Sequence, residues 1–283
     1  MIIIKIKGGL GNQLFQYAFA RFLSLQKDIE VKIDNGINTN KNDTYRQYSL
    51  NNFNITLSLA SREEVLKAKY PLGIISKIWR ITKIKILKVH NVGWNKNIIN
   101  SKESYMDGYW QSYKYLDPIR SILLKEISLK EPIKNKYKEL LNQISNTDSV
   151  SIHIRRGDYV NDPKTKAAHY TFGLEYYQEA VKIIAGKIPA PTFFVFSDDI
   201  EWVKKNFKSI FPTIYVSNAQ IKDHEELMIM CECKNNIIAN SSFSFWGAWL
   251  NKNPNKIVIA PKKWNNIYPK KYKDLLPKEW IQI

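Results

Sequence analysis

Cysteine is nearly missing: the 283 residues hold 2, Cys231 and Cys233, with one residue between them. That separation suits no ordinary disulfide, and no Cys/His set has the spacing of a zinc site. The chain therefore reads as a protein of a reducing compartment, the cytoplasm. Long apolar runs are also lacking. No stretch approaches the ~20 apolar residues that span a bilayer. The first strand-like run, residues 2–6, is broken by Lys5, is shorter than a signal-peptide core, and leads into glycines instead of a cleavage site. A soluble or peripherally attached protein is expected. What is present excludes disorder: 44% hydrophobic and 13% aromatic residues can fill a core, and the length prior of roughly 100–200 residues per domain favours two domains.

Acidic residues are outnumbered, 26 against 43 basic, for a formal net charge of +17. Such an excess invites a nucleic-acid reading, because phosphate contacts supply most non-specific affinity. Arginine is the counter-argument. Only 7 of the basic residues are Arg and 36 are Lys, whereas base reading and bidentate phosphate recognition favour the planar guanidinium. No nucleic-acid partner is expected. Residues 1–145 carry 24 basic and 12 acidic groups, net +12, and residues 146–283 carry 19 and 14, net +5. Within the first half, residues 65–102 hold nine Lys or Arg and no acid, interleaved with Ile74, Ile75, Ile78, Trp79, Ile84, Ile86 and Leu87. Such a basic, partly apolar face suits anionic headgroups or an anionic acceptor, and equally a solvated, lysine-decorated surface.

Hydrophobic periodicity gives the organisation. A β-branched run at 2–6 is followed by a glycine-rich turn, and Leu14, Phe15, Ala18, Phe22 and Leu25 then recur at helical spacing. Residues 31–34 read as the next strand, so the chain opens on a βαβ-like unit. The second half repeats that grammar, with short buried runs at 149–154, 192–196, 213–216, 236–239 and 256–260. Helical stretches at 173–185, 200–207, 223–232 and 243–250 alternate with them. The pattern predicts an α/β fold with a parallel sheet covered on both faces. The polar stretch 145–148 is the expected boundary between domains 1–145 and 146–283.

Four motifs carry chemistry. Gly8, Gly9 and Gly11 lie between a strand and a helix, where glycines admit a ligand to the backbone and helix N–H groups are free. Leu14 stands where a dinucleotide fingerprint needs its third glycine, which disfavours a nicotinamide cofactor. Asn12 and Gln13 follow as neutral groups able to hold a sugar hydroxyl; a tight turn with a capping Asn is the plainer alternative. Second, His153, Arg155, Arg156 and Asp158 close a strand, at the end where parallel sheets collect ligands. One arginine can fork onto an anion while the other pairs with Asp158 or supports the loop. Third, Asp198 and Asp199 end another strand, placed to bind ribose or guanine or to cap the next helix. Fourth, Asn240, Ser241, Ser242 and Phe243 mark a strand end and a helix start, a place for a phosphate or for ordinary caps.

These motifs together resemble a family. GGLGNQLFQYAFA at 8–20, DGYWQSYKY at 107–115, HIRRGDYV at 153–160, FSDDIEWVKKNF at 196–207 and NSSFSFWGAWL at 240–250 are similar to the α-1,2-fucosyltransferases of glycosyltransferase family 11, bacterial type. The resemblance implies two Rossmann-like domains facing a cleft (GT-B type), an N-terminal acceptor side and a C-terminal GDP-fucose side. It implies transfer of L-fucose from GDP-β-L-fucose to the 2-hydroxyl of a galactose with inversion, and no metal or other cofactor. On this resemblance His153 would contact the guanosine, Arg155 would bind the diphosphate and help it depart, and Glu226 would read guanine. Ser241, Ser242 and Phe243 would line phosphate and fucose. Arg156, Asp198, Asp199 and Asn240 join the donor side, and Gly11, Gln13, Asp107, Trp110 and Gln111 the acceptor side. Asn12 would orient the attacking hydroxyl and Asp158 would take its proton, unless an arginine holds it. The family usually has Asp where Glu226 stands and His where Asn235 stands. The expected partner is a galactose-terminated glycan, lipid-linked in bacterial enzymes of this type, met at the inner face of the cytoplasmic membrane. Two alternatives remain: a fucosyltransferase for another acceptor hydroxyl, and, on charge alone, a basic binding module.

Overall fold

A computed structural model describes residues 1–36, 47–70, 92–267 and 269–283, without the side chains of Asp158, Asn161, Lys164, Thr165 and Ala168. Two compact units result: Met1–Lys130 with Lys270–Leu276, and Glu131–Pro269 with Pro277–Ile283.

In the first unit, β1 (Ile2–Lys5) lies between β2 (Val31–Asp34) and β3 (Tyr105–Met106), all parallel. The helix Leu10–Lys27 makes the crossover from β1 to β2. Leu14, Phe15, Ala18 and Phe22 are buried as their spacing predicts, while Leu25 is 42% exposed. The helix stops at Asp28, whose left-handed φ of 49° turns its N–H onto the Ser24 carbonyl. One buried acid ties this helix to the rest of the unit. Glu126 accepts from the Tyr17 hydroxyl at 2.5 Å, from Arg21 Nε at 2.9 Å and from Thr56 Oγ1 at 3.1 Å. Burial, then the Glu126 hydrogen bond, push the Tyr17 hydroxyl well above its ordinary pKa.

The expected boundary at 145/146 falls instead at 130/131, for a packing reason. The helix Lys138–Asn146 buries Ile144 against Phe194, Phe196 and Met230 of the second unit, so the polar stretch after it is a helix end and not a linker. Residues 270–276 also rejoin the first unit. Ser112 Oγ donates to the Asp274 carbonyl at 2.5 Å, the Tyr113 N–H donates to the Leu275 carbonyl at 3.2 Å, and Lys114 pairs with Asp274 at 2.7 Å.

The second unit is a six-stranded parallel sheet in the order β6-β5-β4-β7-β8-β9. Its strands are β4 (Asp148–Ile154), β5 (Pro191–Ser197), β6 (Thr213–Tyr215), β7 (Asn235–Ile237), β8 (Val258–Ala260) and β9 (Ile281–Gln282). The helices Leu174–Ala185, Ile200–Asn206, Asp223–Glu232 and Ser242–Leu250 fall where periodicity puts them. The period of two along β5 is explicit in the packing. Phe193 and Val195 join Tyr177, Ile184 and Val203 on one face, while Phe194 and Phe196 join Ile229 and Met230 on the other. Both cysteines are free and buried. Among the described residues no helix is long and apolar enough to cross a membrane.

Strand order reverses between β4 and β7: the chain builds outward through β5 and β6, then returns to β7 on the other side of β4. Open parallel sheets bind ligands at such a reversal, beyond the carboxyl ends of the strands.

Glu126→Ala leaves the Arg21 guanidinium and the Tyr17 hydroxyl without their shared acceptor. The expected loss is about 3 kcal/mol, the scale for breaking one side of a buried pair. Urea unfolding of the full chain measures it, and an unchanged midpoint contradicts the role given to Glu126.

Candidate functional site

Register builds the centre of the second unit. Parallel pairing sets His153 beside Phe196 and Ile154 beside Ser197, so the residues leaving β4 and β5 emerge next to each other. Arg155 Nη1 meets Asp198 Oδ2 at 3.0 Å, and the Arg156 N–H donates to Asp198 Oδ1 at 2.9 Å. Arg156 Nε pairs with Asp199 Oδ2 at 3.3 Å and its guanidinium lies over the Trp202 ring. The two aspartates therefore brace the two arginines. Asp199 does stand at the start of the helix Ile200–Asn206, yet its side chain makes no cap hydrogen bond. Gly157 is required by this arrangement, because a Cβ there would lie 2.3 Å from Asp198 Oδ2.

On the other side of the strand reversal, Asn240, Ser241 and Ser242 follow β7. Asn240 serves the loops: its amide donates to the carbonyls of Tyr170 at 2.8 Å and Trp264 at 3.2 Å. Its own carbonyl accepts from the Tyr159 hydroxyl at 3.0 Å. Tyr159 also carries the Arg155 guanidinium over its ring at 5.5 Å, and so links the ends of β4 and β7. Ser241 caps the helix Ser242–Leu250, its Oγ accepting the Phe243 N–H at 3.3 Å. Ser242 and Phe243 are half-buried at the first turn. A guanidinium and the N-terminal N–H groups of a helix thus flank the reversal, an arrangement that holds a phosphate.

A buried histidine and a half-buried glutamate complete this unit's site. His153 is 4% exposed and its Nδ1 has no hydrogen-bond partner among the described residues. Burial, then the Arg155 charge, pull its pKa down to about 3, so it is neutral. Its ring lies 5.6 Å from that of Phe243. Glu226 accepts a short hydrogen bond from Ser217 Oγ, which in turn accepts the Ser197 N–H at 2.9 Å. Burial, then the charges of Asp198 and Asp223, push Glu226 up to about 7 against the lowering effect of Ser217. Asn235, where the family usually has His, is buried on β7 and its Oδ1 accepts the Ile257 N–H at 2.8 Å.

The first unit holds its own group at the turn after β1. Gly8 has φ +77°, and a Cβ there would lie 2.8 Å from Asn12 Nδ2, so the glycine is what admits the Asn12 amide. Gly11 is buried in the first helical turn. Gln13 is spent on structure: Nε2 donates to the carbonyls of Gly8 and Gln47, at 2.9 and 2.8 Å, and Oε1 accepts the Ser49 N–H at 2.9 Å. Gln111 Nε2 donates to Asn12 Oδ1 at 2.7 Å. Asp107 is gripped by Lys7 and lies 3.6 Å from Lys5. Trp110 is 1% exposed and stacked on Phe19 at 4.2 Å, a core residue with no face for a sugar.

Tyr159, Trp202 and Ser217 were not among the residues the sequence suggested. Tyr159 and Trp202 each lie four residues past a charged member of a motif, a helical spacing that was available as a signal. Ser217 had none. The Asp158 side chain lies outside the described residues, as do residues 71–91 of the basic segment. Among the described residues, no three of His, Cys, Asp and Glu come together as a metal site.

Burial makes Glu226 a source of pH-dependent stability. Its folded pKa of about 7 exceeds the ordinary 4.5, so the folded protein holds this proton more tightly than the unfolded chain. Its contribution is complete below 4.5 and is lost as pH rises through about 7. Glu226→Gln removes that loss. The variant's unfolding midpoint relative to wild type should rise between pH 4.5 and 7, and a constant difference contradicts the assignment.

Comparison with known proteins follows the same lines. The sequence matches the profile of glycosyl transferase family 11 over residues 77–283. It is 32% identical to the O-antigen biosynthesis glycosyltransferase WbnK of Escherichia coli, over 92% of this chain and 93% of that protein. It is also 32% identical to an alpha-1,2-colitosyltransferase of Escherichia coli, over 100% of this chain and 99% of the relative. Among solved structures, the fucosyltransferase NodZ from Bradyrhizobium superposes with a TM-score of 0.53 at 12% identity, covering 87% of this chain and 91% of NodZ. A mutant of Arabidopsis thaliana FUT1 in complex with GDP gives 0.54 at 11%, covering 92% and 70%. The likeness to these structures shows the fold, the paired α/β units of GT-B fucosyltransferases. With arginines and a helix N-terminus at its strand reversal and full-length relatives that transfer sugars, the chain belongs to glycosyl transferase family 11 and is a glycosyltransferase.

Proposed function

We propose that this glycosyltransferase moves L-fucose from GDP-β-L-fucose to the 2-hydroxyl of a galactose residue in a glycan, with inversion and without a metal ion. The observation that carries the donor half of this reading is the Arg155–Asp198 brace at the carboxyl end of β4. The acceptor oxygen bonds to C1 of the sugar as the bond from C1 to the β-phosphate oxygen breaks. GDP leaves with the electron pair and the acceptor hydroxyl loses its proton, to Asp158 in this reading. Negative charge grows on the β-phosphate oxygen in the transition state. Preorganised donors aimed at such an oxygen are the largest catalytic term in many enzymes. Arg155 and the N–H groups opening the helix Ser242–Leu250 are those donors. His153, neutral and with Nδ1 unpartnered among the described residues, contacts the guanosine. Glu226 accepts from the guanine N–H groups, for which its carboxylate form is required. Asn12 holds the acceptor oxygen.

The relative named for colitose transfer favours a second donor. Colitose is L-fucose without the 3-hydroxyl, so the same diphosphate and guanine contacts serve both. Paired assays with GDP-L-fucose and GDP-colitose, and linkage analysis of the product, separate them. The acceptor is a galactose-terminated glycan carried on a lipid at the inner face of the cytoplasmic membrane. The basic segment 65–102 meets the anionic headgroups, and sedimentation with anionic vesicles at low salt tests that contact.

Arg155→Ala is expected to lower kcat by about 10²–10³-fold, the cost of one donor to a developing oxyanion, with the far-UV circular dichroism unchanged. Near-wild-type turnover overturns the role of Arg155. GDP binding, measured by calorimetry, is expected to survive EDTA and to strengthen as pH rises through about 7, where Glu226 ionises. Binding abolished by EDTA contradicts the metal-free reading, and binding that weakens over that pH range contradicts guanine recognition by the carboxylate.

A further inference from the structure

We infer that Gln111 is a positioning residue for Asn12: it fixes which face of the Asn12 amide is presented at the turn after β1. The inference rests on the proposed role of Asn12 at the acceptor oxygen.

The geometry lies within the first unit. Gln111 is 6% exposed, and its Nε2 donates to Asn12 Oδ1 at 2.7 Å across a separation of 99 in sequence. With the carbonyl oxygen of the amide held there, the Asn12 NH₂ lies on the Gly8 side, in the space that a side chain at Gly8 would take. An amide held in this sense is a donor to an incoming oxygen and leaves the oxygen's second lone pair free for attack. Turned over, the same amide would offer an acceptor and compete for the hydroxyl proton.

The residue before Gln111 is held in an unusual backbone conformation. Trp110 has φ +45°, one of two non-glycine residues with positive φ among the described residues. A bulky residue there costs of order 1–3 kcal/mol and persists only where its surroundings over-determine it. Here they do. The indole is buried and stacked on Phe19 at 4.2 Å and 8°, and Phe19 belongs to the helix Leu10–Lys27 that also carries Asn12. The Gln111 N–H donates to the Val92 carbonyl at 2.6 Å, and the Tyr113 N–H donates to the Leu275 carbonyl two residues on. A strained turn locked to the helix and clamped on both sides delivers one short polar contact, the hydrogen bond to Asn12. Packing alone would not need an amide at this position.

Steady-state kinetics of wild type, Asn12→Ala, Gln111→Met and Gln111→Glu test the inference. Gln111→Met keeps the volume and removes the donor. It should lower kcat about 10²-fold, the scale for misplacing a reacting group, while KM for GDP-L-fucose stays within about twofold, as expected for a contact felt only in the reacting state. Gln111→Glu supplies the decisive signature. Ionised, the new side chain cannot donate to Asn12 Oδ1; protonated, it can. Its activity relative to wild type should therefore rise as pH falls. A ratio flat in pH, or one that rises with pH, overturns the inference, including when Gln111→Met fails to fold. Full activity in Asn12→Ala strikes the proposed function instead. Loss in Asn12→Ala with wild-type kcat in Gln111→Met strikes the positioning role alone.

Discussion

Parallel pairing between β4 and β5 fixes more of this protein than any single side chain does. Because Ile154 stands beside Ser197, the two strands end level, and Arg155 and Arg156 leave one strand where Asp198 and Asp199 leave the other. Asp198 then reaches both the Arg155 guanidinium and the Arg156 backbone, and Gly157 survives only as glycine because Asp198 fills the space where its Cβ would be. A slip of one residue would turn every β5 side chain to the opposite face. Phe193 and Val195 would exchange places with Phe194 and Phe196, and both cores would be lost with the site.

The brace also explains how two guanidiniums can sit at a strand end before any anion arrives. An unpaired, half-buried arginine is costly, and a neighbouring carboxylate offsets the desolvation. Asp198 meets Arg155 through Nη1, one corner of a guanidinium whose planar fork suits a phosphate. The other titratable groups nearby add little charge: His153 is held neutral by burial and by Arg155, and burial raises Glu226 toward neutrality. The positive charge that a diphosphate meets is therefore concentrated on the arginines and on the helix N-terminus.

Legibility followed the range of the interactions. Period-two and helical patterns recovered β4, β5 and the helices Leu174–Ala185, Ile200–Asn206, Asp223–Glu232 and Ser242–Leu250, because each depends on burial of its own faces, but not the helix Lys138–Asn146. The arginine and serine motifs were legible because strand ends in parallel sheets are where ligands gather. Long-range partners were not. Asp198 and Asp199 read as ligands or caps, since nothing local shows that register sets them against Arg155 and Arg156. Gln13 and Trp110 read as sugar contacts, yet one is committed to three backbone partners and the other to Phe19. The return of residues 270–276 to the first unit depends on backbone contacts with Ser112 and Tyr113, which leave no periodic trace.

A crystal structure of the full chain with GDP tests the role of the arginine brace at the strand reversal. The β-phosphate is expected within hydrogen-bond distance of Arg155 and of the Ser242 N–H at the start of the helix, with the Asp198 brace retained and guanine against Glu226. A diphosphate bound away from the reversal between β4 and β7, with Arg155 still turned wholly to Asp198, would contradict it.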